Sequence, residues 1–234
     1  MDSFSRKLKT RIYHSYTQDA TVFPLLRARG GYMVVIIQAK IALVGDGTVG
    51  KTSLVNSFTG KTSFMEAYKM TIGVNIVVHS TERDNGIKIN LCIWDLGGQP
   101  RFESVRGSFY KGSQLIVYVY DLTNKESFNN LVNWLDEVHK SVPVSNYSGI
   151  VVGNKADLDE YRVVALENAR EFSETKGFQY IEASAKDGTG TLELIDLLAE
   201  NVLKKNSIRN DNHSTQNIVT QIGIVSGPSL TSFF

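Results

Sequence analysis

The sequence predicts an α/β fold in which a mostly parallel sheet of six strands, with one antiparallel hairpin strand, is covered by helices. From Lys40 onward, short runs of β-type residues alternate with segments of helical period, which is typical of such sheets. The second and third runs are joined by Arg83-Asp84-Asn85-Gly86, whose Asn-Gly pair suits a tight antiparallel hairpin. At 234 residues, the chain has room for one well-buried domain with tails.

Six runs are predicted as strands because they are short, apolar and bounded by turn residues: Ile41–Val44, Ile72–Val78, Ile87–Trp94, Leu115–Tyr120, Ile150–Val152 and Phe178–Glu182. Helices are predicted after Gly50 and over Leu166–Lys176, where Gly177 provides a stop. Two further helices carry apolar stripes that should pack on the sheet. The stripes are Phe128, Leu131, Val132, Leu135 and Val138 in one helix, and Leu192, Ile195, Leu198 and Val202 in the other.

Three segments are expected along the chain: a basic N-terminal extension over residues 1–37, a folded domain over 38–205, and a polar flexible tail over 206–234. Met33 directly precedes the first strand region. Residues 1–32 are therefore either a translated, mobile extension or an error in the assigned start.

Composition excludes several classes of protein. The net charge of +1 gives no general attraction to nucleic acid, and the single cysteine, Cys92, rules out an intrachain disulfide and a cysteine-based metal cluster. We expect Cys92 to be structural. The longest apolar run, Tyr32–Val44, is too short to span a bilayer as a helix, and no secretory signal is recognised. A cytoplasmic protein, monomeric and without a nucleic-acid partner, is expected.

A glycine-rich motif follows the first predicted strand and opens a helix. It fits G-x-x-x-x-G-K-[ST], and Ser53 comes next: Gly45-Asp46-Gly47-Thr48-Val49-Gly50-Lys51-Thr52. Such a loop turns backbone N–H groups and a helix N-terminus toward phosphate oxygens. We expect Lys51 to reach the β- and γ-phosphates and the Thr52 hydroxyl to bind Mg²⁺. A glycine-rich turn without a ligand is the alternative interpretation.

The nucleotide base is indicated by two later motifs. Asn154-Lys155-Ala156-Asp157 follows the fifth predicted strand, at the end where ligands bind in open α/β sheets. The Asp157 carboxylate can accept from the ring N–H and the exocyclic amine of guanine together, whereas adenine lacks that pair of donors. The stem of Lys155 can lie along the base, and Ser184-Ala185-Lys186 can donate a backbone N–H to the guanine oxygen. Guanine is therefore predicted.

Asp95-Leu96-Gly97-Gly98-Gln99 follows the third predicted strand. Asp95 can hold magnesium through water, Gly98 allows its backbone to approach the γ-phosphate, and Gln99 would then sit beside the attacking water. Thr71 is the other candidate magnesium ligand; a threonine that merely starts a strand is its alternative role.

Together these motifs resemble the Ras superfamily of small GTPases over about residues 40–203, and Rab-like members fit best. The stretches that carry the Rab-like pattern are Thr71-Ile72-Gly73-Val74, Ile93-Trp94-Asp95, Arg101-Phe102, Phe109-Tyr110-Lys111-Gly112 and Val119-Tyr120-Asp121. The resemblance implies a three-layer P-loop NTPase fold. It also implies a molecular switch that binds GDP and GTP with Mg²⁺ and acts in signalling or vesicle trafficking.

At matching positions, the resemblance places Phe64 on the guanine face, Tyr68 over the phosphates, and Thr52 and Thr71 on Mg²⁺. Gln99 and Lys51 take the catalytic roles, and the two switches would cover about residues 64–75 and 96–110. An exchange factor, an activating protein and effectors are the implied partners. No arginine closely precedes Thr71, so slow turnover, on the order of 10⁻⁴ per second, is expected without help.

The chain departs from this pattern in four places. Leu96-Gly97 stands where Thr-Ala is usual, and Pro100 replaces an acidic residue and should stiffen the second switch. The C-terminus has no cysteine for prenylation and residue 2 is Asp2, so membrane contact should be weak or mediated by a partner. Pro100 also leaves open a nucleotide-bound scaffold that does not hydrolyse. A P-loop enzyme that phosphorylates a metabolite would need a lid or insertion that the sequence does not show.

Overall fold

The computed structural model describes residues 25–29, 32–59, 73–83 and 87–212 of the chain. Within them, one sheet contains seven strands: β1 (Leu25–Arg29), β2 (Tyr32–Val44), β3 (Val74–Glu82), β4 (Ile87–Leu96), β5 (Leu115–Asp121), β6 (Ser148–Asn154) and β7 (Gln179–Ala183). The order across the sheet is β3-β4-β2-β5-β6-β7, and β1 pairs with β2. The central five strands are parallel, whereas β3 is antiparallel to β4 and β1 is antiparallel to β2.

Six α-helices connect and cover the strands: α1 (Lys51–Thr59), α2 (Glu103–Tyr110), α3 (Lys125–Asn129), α4 (Leu131–His139), α5 (Leu166–Thr175) and α6 (Thr191–Asn212). Short 3₁₀ turns occur at Pro100–Phe102, Val144–Asn146 and Ala156–Tyr161. The start of α3 is capped by the Asn124 side chain, which accepts from the backbone N–H groups of Glu126 and Ser127. These counts refer to the described residues.

The sheet divides the core into two apolar layers. On one face, Leu54 of α1 and Leu198 of α6 pack against strand residues such as Ile41 and Val117. On the other face, α2, α4 and α5 contribute residues such as Tyr110, Leu135 and Ala169. The three-layer α/β architecture is therefore confirmed.

All six predicted strands are present, and the antiparallel pairing of the second with the third is confirmed by the register Glu82↔Lys88. The hairpin residues Asn85 and Gly86 lie outside the described residues. The first strand is longer than predicted and starts at Tyr32, and β1 before it was not predicted at all. The domain boundaries at 37/38 and 205/206 remain predictions.

Two residues of the predicted apolar stripes do not pack on the sheet. Val132 is 50% exposed and Leu192 is 76% exposed. Each lies about 100° around its helix from a neighbour, Leu131 or Thr191, that occupies the buried face instead. The first stripe is also divided between two helices, because α3 ends at Asn129 and α4 begins at Leu131.

Candidate functional site

The parallel strands bring three of the motif-bearing loops to one edge of the sheet. β2, β4, β5 and β6 run in the same direction, and their registers pair Leu43 with Asp95 and Asp121 with Asn154. The loops that follow β2, β4 and β6 must therefore lie along one edge of the sheet, because the carboxyl ends of parallel strands share an edge. This edge is where the site is built.

The glycine-rich loop between β2 and α1 holds a strained backbone. Thr48 has φ 65°, and only one other non-glycine residue in the described part of the chain, Lys155, has a positive φ. A β-branched residue in this region is unfavourable, on the order of 1–3 kcal/mol. At Gly50, an added Cβ would lie 2.2 Å from Nδ2 of Asn154, so a side chain there would push the two motifs apart. Both unusual torsions thus fall in predicted nucleotide-binding loops.

The Lys51 ammonium is directed back into the loop. Its Nζ donates to the carbonyl oxygens of Gly45 and Asp46, each at 2.7 Å, and the residue is 6% exposed. Burial lowers the pKa of the Lys51 amine to about 8, although the nearby carboxylates of Asp95 and Asp46 oppose the shift. A polyphosphate in this loop would supply the negative charge that the buried ammonium requires.

Thr52 and Asp95, two of the three predicted metal ligands, are adjacent. The Thr52 hydroxyl donates to Oδ2 of Asp95 at 2.6 Å, although the two residues are 43 positions apart in sequence. A hydroxyl and a carboxylate oxygen are both hard ligands, so this pair has the chemistry that Mg²⁺ requires. The residues that are present therefore fit a magnesium ion.

Gly98 lies directly against the glycine-rich loop. A Cβ added there would be 2.4 Å from the carbonyl oxygen of Gly45 and 2.6 Å from the amide nitrogen of Gly47, so any larger residue would displace the segment. Gln99 follows with extended torsions, φ −79° and ψ 141°, before the turn that begins at Pro100. Its side-chain nitrogen is buried and has no hydrogen-bond partner among the described residues.

Asn154 joins the glycine-rich loop to the loop after β7. Its side-chain nitrogen donates to the carbonyl of Val49 at 2.8 Å, and its side-chain oxygen accepts from the backbone N–H of Ala185 at 3.3 Å. The residue is 1% exposed, so losing either bond would leave a buried polar atom without a partner. The Asn154 amide therefore connects the glycine-rich loop and the two predicted base-binding motifs.

The Asp157 carboxylate is held by the other base-binding motif. Ser184 Oγ donates to its Oδ1 at 2.7 Å, and Lys186 Nζ lies 3.4 Å from its Oδ2. Lys155 Nζ lies 2.5 Å from Oδ2 of Asp121, which fixes the direction of the lysine stem. The predicted residues Asn154, Lys155, Asp157, Ser184, Ala185 and Lys186 are thus brought together at one place.

Sequence reasoning missed the side chains that support these loops. Trp134 Nε1 and Asn130 Nδ2 donate to the two carboxylate oxygens of Asp46 at 2.7 and 2.8 Å, joining α4 to the glycine-rich loop. Arg162 donates to both carboxylate oxygens of Glu182 at 2.8 and 2.7 Å, joining the turn after Asp157 to β7. Trp134 was predictable only as an apolar residue of its helix, since its partner lies 88 positions away.

Three predicted site residues, Phe64, Tyr68 and Thr71, lie outside the described residues. The same is true of most of the first predicted switch. None of the described helices is long and apolar enough to cross a membrane.

The chain is similar in sequence to several known proteins. Residues 40–204 match the model of the Ras family. Over 150 residues the chain is 42% identical to "Ras-related protein RABD2a" of Arabidopsis thaliana, covering 64% of this chain and 72% of that protein. Over 163 residues it is 39% identical to "GTP-binding protein YPTM2" of Zea mays, covering 70% and 79%. "Ras-related protein RIC1" of Oryza sativa subsp. japonica is 42% identical over 150 residues, covering 64% and 73%.

Proposed function

Because the chain belongs to the Ras family of GTPases and has Rab-like relatives, we propose that it is a switch that alternates between GDP and GTP with Mg²⁺. In this proposal, regulators and effectors bind the two loops that contact the γ-phosphate, and the protein acts in signalling or vesicle trafficking. The convergence of the phosphate-binding and base-binding motifs on the Asn154 amide is the observation that carries it. A chain that merely contained these motifs would have no reason to connect them through one buried side chain.

Guanine binding rests on Asp157. Its Oδ1 is already oriented by Ser184, so the carboxylate can present its remaining acceptor capacity to the ring N–H and amine of guanine. Lys155 would cover one face of the base with its methylene stem, because its ammonium is held by Asp121. The loop Ser184-Ala185-Lys186 would donate a backbone N–H to the guanine oxygen. Adenine would leave Asp157 unpaired, which is the basis of discrimination.

Phosphate and metal binding rest on the glycine-rich loop and on the pair Thr52 and Asp95. Lys51 would exchange its two carbonyl acceptors for β- and γ-phosphate oxygens, with its charge then paired. Thr52 would bind Mg²⁺ directly, Asp95 would hold it through water, and Thr71 is the further ligand we propose. A magnesium ion held by these residues would supply positive charge that offsets the charge developing on the phosphate.

Hydrolysis rests on Gln99, which would orient the attacking water, with Gly98 donating its backbone N–H to the γ-phosphate. We expect slow intrinsic turnover, because no arginine precedes Thr71 in Tyr68-Lys69-Met70. An activating protein would then provide an arginine in trans. GTP would hold Thr71 and Gly98 on the γ-phosphate, and loss of that phosphate would release both loops.

The test is single-turnover hydrolysis of bound GTP by wild type, by Gln99→Leu and by the control Gln179→Leu, which changes an exposed glutamine away from the site. Gln99→Leu should keep GTP affinity and slow hydrolysis roughly tenfold or more, about 1.4 kcal/mol in barrier. The control should match wild type. A wild type that binds GTP but is as slow as Gln99→Leu would instead favour the scaffold that Pro100 leaves open.

A further inference from the structure

Arg106 is a buried arginine that contacts the backbone beside Gln99. It lies on α2 and is 4% exposed. One of its terminal nitrogens, Nη1, donates to the carbonyl oxygen of Gln99 at 2.7 Å and to that of Gly97 at 3.2 Å. These carbonyls belong to the peptide group before Gly98 and the peptide group after Gln99, so a single guanidinium nitrogen holds the backbone at both ends of Gly98-Gln99.

The Arg106 guanidinium is held in place by Glu137, which lies on α4. Nε and Nη2 donate to the two carboxylate oxygens of Glu137 at 2.7 and 2.6 Å, the two-point geometry that only arginine provides. Glu137 also accepts from the hydroxyl of Tyr110. The charge is thus paired and hydrogen-bonded, which a buried ion requires. Arg106 therefore has little freedom to leave the two carbonyls.

Trp134 connects this arginine to the phosphate-binding loop. The centre of the Arg106 guanidinium lies 4.5 Å from the Trp134 ring centroid, within the range of a cation–π contact. The same indole donates through Nε1 to the Asp46 carboxylate at 2.7 Å. Continuous contacts therefore run from Asp46 through Trp134 and Arg106 to the backbone of Gln99.

Residues 97–99 are also held at Gly98 by the glycine-rich loop, and after Gln99 by a turn. Gly98 touches the backbone of Gly45 and Gly47 so closely that a Cβ would not fit. After Gln99, Pro100 opens a 3₁₀ turn in which the backbone N–H of Phe102 donates to the Gln99 carbonyl at 3.1 Å. The residue before a proline is restricted to extended torsions, as Gln99 is.

We propose that Arg106 is a positioning residue for GTP hydrolysis, holding the backbone of residues 97–99 so that Gly98 and Gln99 face the γ-phosphate. This inference rests on the function proposed above and adds a residue to it. Arg106 acts through the backbone and does not touch the nucleotide. The hydrolytic step should therefore depend on it more strongly than nucleotide binding does.

The experiment compares wild type with Arg106→Lys, Glu137→Gln and the control Arg83→Lys, which alters an arginine paired with Asp196 at the far end of β3. For each, GDP affinity, single-turnover hydrolysis of GTP and amide hydrogen exchange over residues 97–103 are measured. Lysine keeps the charge but cannot bridge Glu137 and both carbonyls. We expect a loss of hydrolysis of roughly tenfold in Arg106→Lys, GDP affinity within about twofold of wild type, and faster exchange.

Glu137→Gln should give the same pattern with a smaller loss of hydrolysis, because it weakens the paired hydrogen bonds that hold the Arg106 guanidinium. It also keeps the test decisive if Arg106→Lys does not fold. Wild-type hydrolysis and exchange in both variants would overturn the inference, and so would a parallel loss of GDP affinity and hydrolysis, which would mark a purely structural role. A wild type without GTP turnover would overturn both this inference and the hydrolytic part of the proposed function.

Discussion

Lys51 should take up a proton when nucleotide binds. In the protein without nucleotide, burial lowers the pKa of its amine to about 8. A pKa of about 8 leaves roughly 90% of the molecules charged at pH 7 and about half at pH 8. Phosphate oxygens beside the amine favour the charged form and should raise its pKa well above this range. Binding of Mg·GDP should therefore take up about 0.1 proton at pH 7 and about 0.5 at pH 8.

The same shift predicts how stability depends on pH. The unfolded chain binds the proton more tightly than the folded chain does, so stability without nucleotide should rise as pH increases between about 8 and 10.5. Below pH 8, burial of the charged amine lowers the free energy of unfolding by its full amount, on the order of 3 kcal/mol for a shift of this size. Bound nucleotide should remove most of it, because the ammonium then has phosphate partners.

Isothermal titration calorimetry with Mg·GDP in buffers of different ionisation enthalpy measures the proton uptake directly. The control is Lys40→Gln. Burial also lowers the pKa of Lys40 to about 8, but its Nζ donates to the carbonyl of Lys111, which follows α2, and not to the glycine-rich loop. The control should retain the full uptake at pH 8. Equal observed enthalpies in all buffers at pH 8 would contradict the predicted proton uptake, since Lys51 would then keep one charge state throughout. Measurements stop at pH 8 so that the guanine ring keeps its own proton.

Two further predictions concern the metal and the base-binding loops. Thr52→Asn should weaken Mg·GTP binding more than GDP binding, because the γ-phosphate depends most on the ion; fluorescent-nucleotide titrations with and without Mg²⁺ check this, and an equal loss for both nucleotides would count against the role. Glu182→Gln should weaken GDP binding by about 1 kcal/mol, roughly fivefold, because its paired Arg162 holds the turn after Asp157 to β7. The control is Glu200→Gln, which changes an exposed glutamate paired with Lys204 and should leave GDP dissociation unchanged. Equal dissociation rates for the two variants would contradict the role given to Glu182.

The strands were predictable where short apolar runs coincided with turn residues. The start of β2 was not, because Gln38 and Lys40 interrupt the run Tyr32–Val44 and made its first half resemble an extension. In the structure, Lys40 is accommodated by tertiary contacts: its ammonium lies 4.0 Å from the Trp94 ring centroid and donates to the carbonyl of Lys111. Such contacts depend on neighbouring strands and leave no local pattern in the sequence.

The residues of the candidate site were likewise predictable from the sequence only in part. The residues expected to touch nucleotide, such as Lys51 and Asp157, lie in contiguous motifs whose spacing is set by a single loop, so the sequence alone identifies them. Arg106 and Glu137 are 31 positions apart, and their pairing arises only when α2 packs beside α4. Val132 was placed in the core on period alone, although Leu131 occupies that face. The residues expected to contact nucleotide therefore leave a pattern in the sequence, and the groups that support their loops do not.

Guanine recognition by Asp157 is tested most directly by competition of GDP, ADP and xanthosine diphosphate against fluorescent GDP, for wild type and Asp157→Asn. Wild type should prefer GDP over ADP by about 10⁴-fold or more, because adenine leaves the Asp157 carboxylate, held by Ser184, without its donors. Asp157→Asn replaces an acceptor by a donor, so the variant should prefer xanthosine diphosphate, whose 2-position is a carbonyl. An unchanged preference for GDP in the variant would contradict the assignment of Asp157, and similar affinities for GDP and ADP in wild type would contradict the guanine site itself.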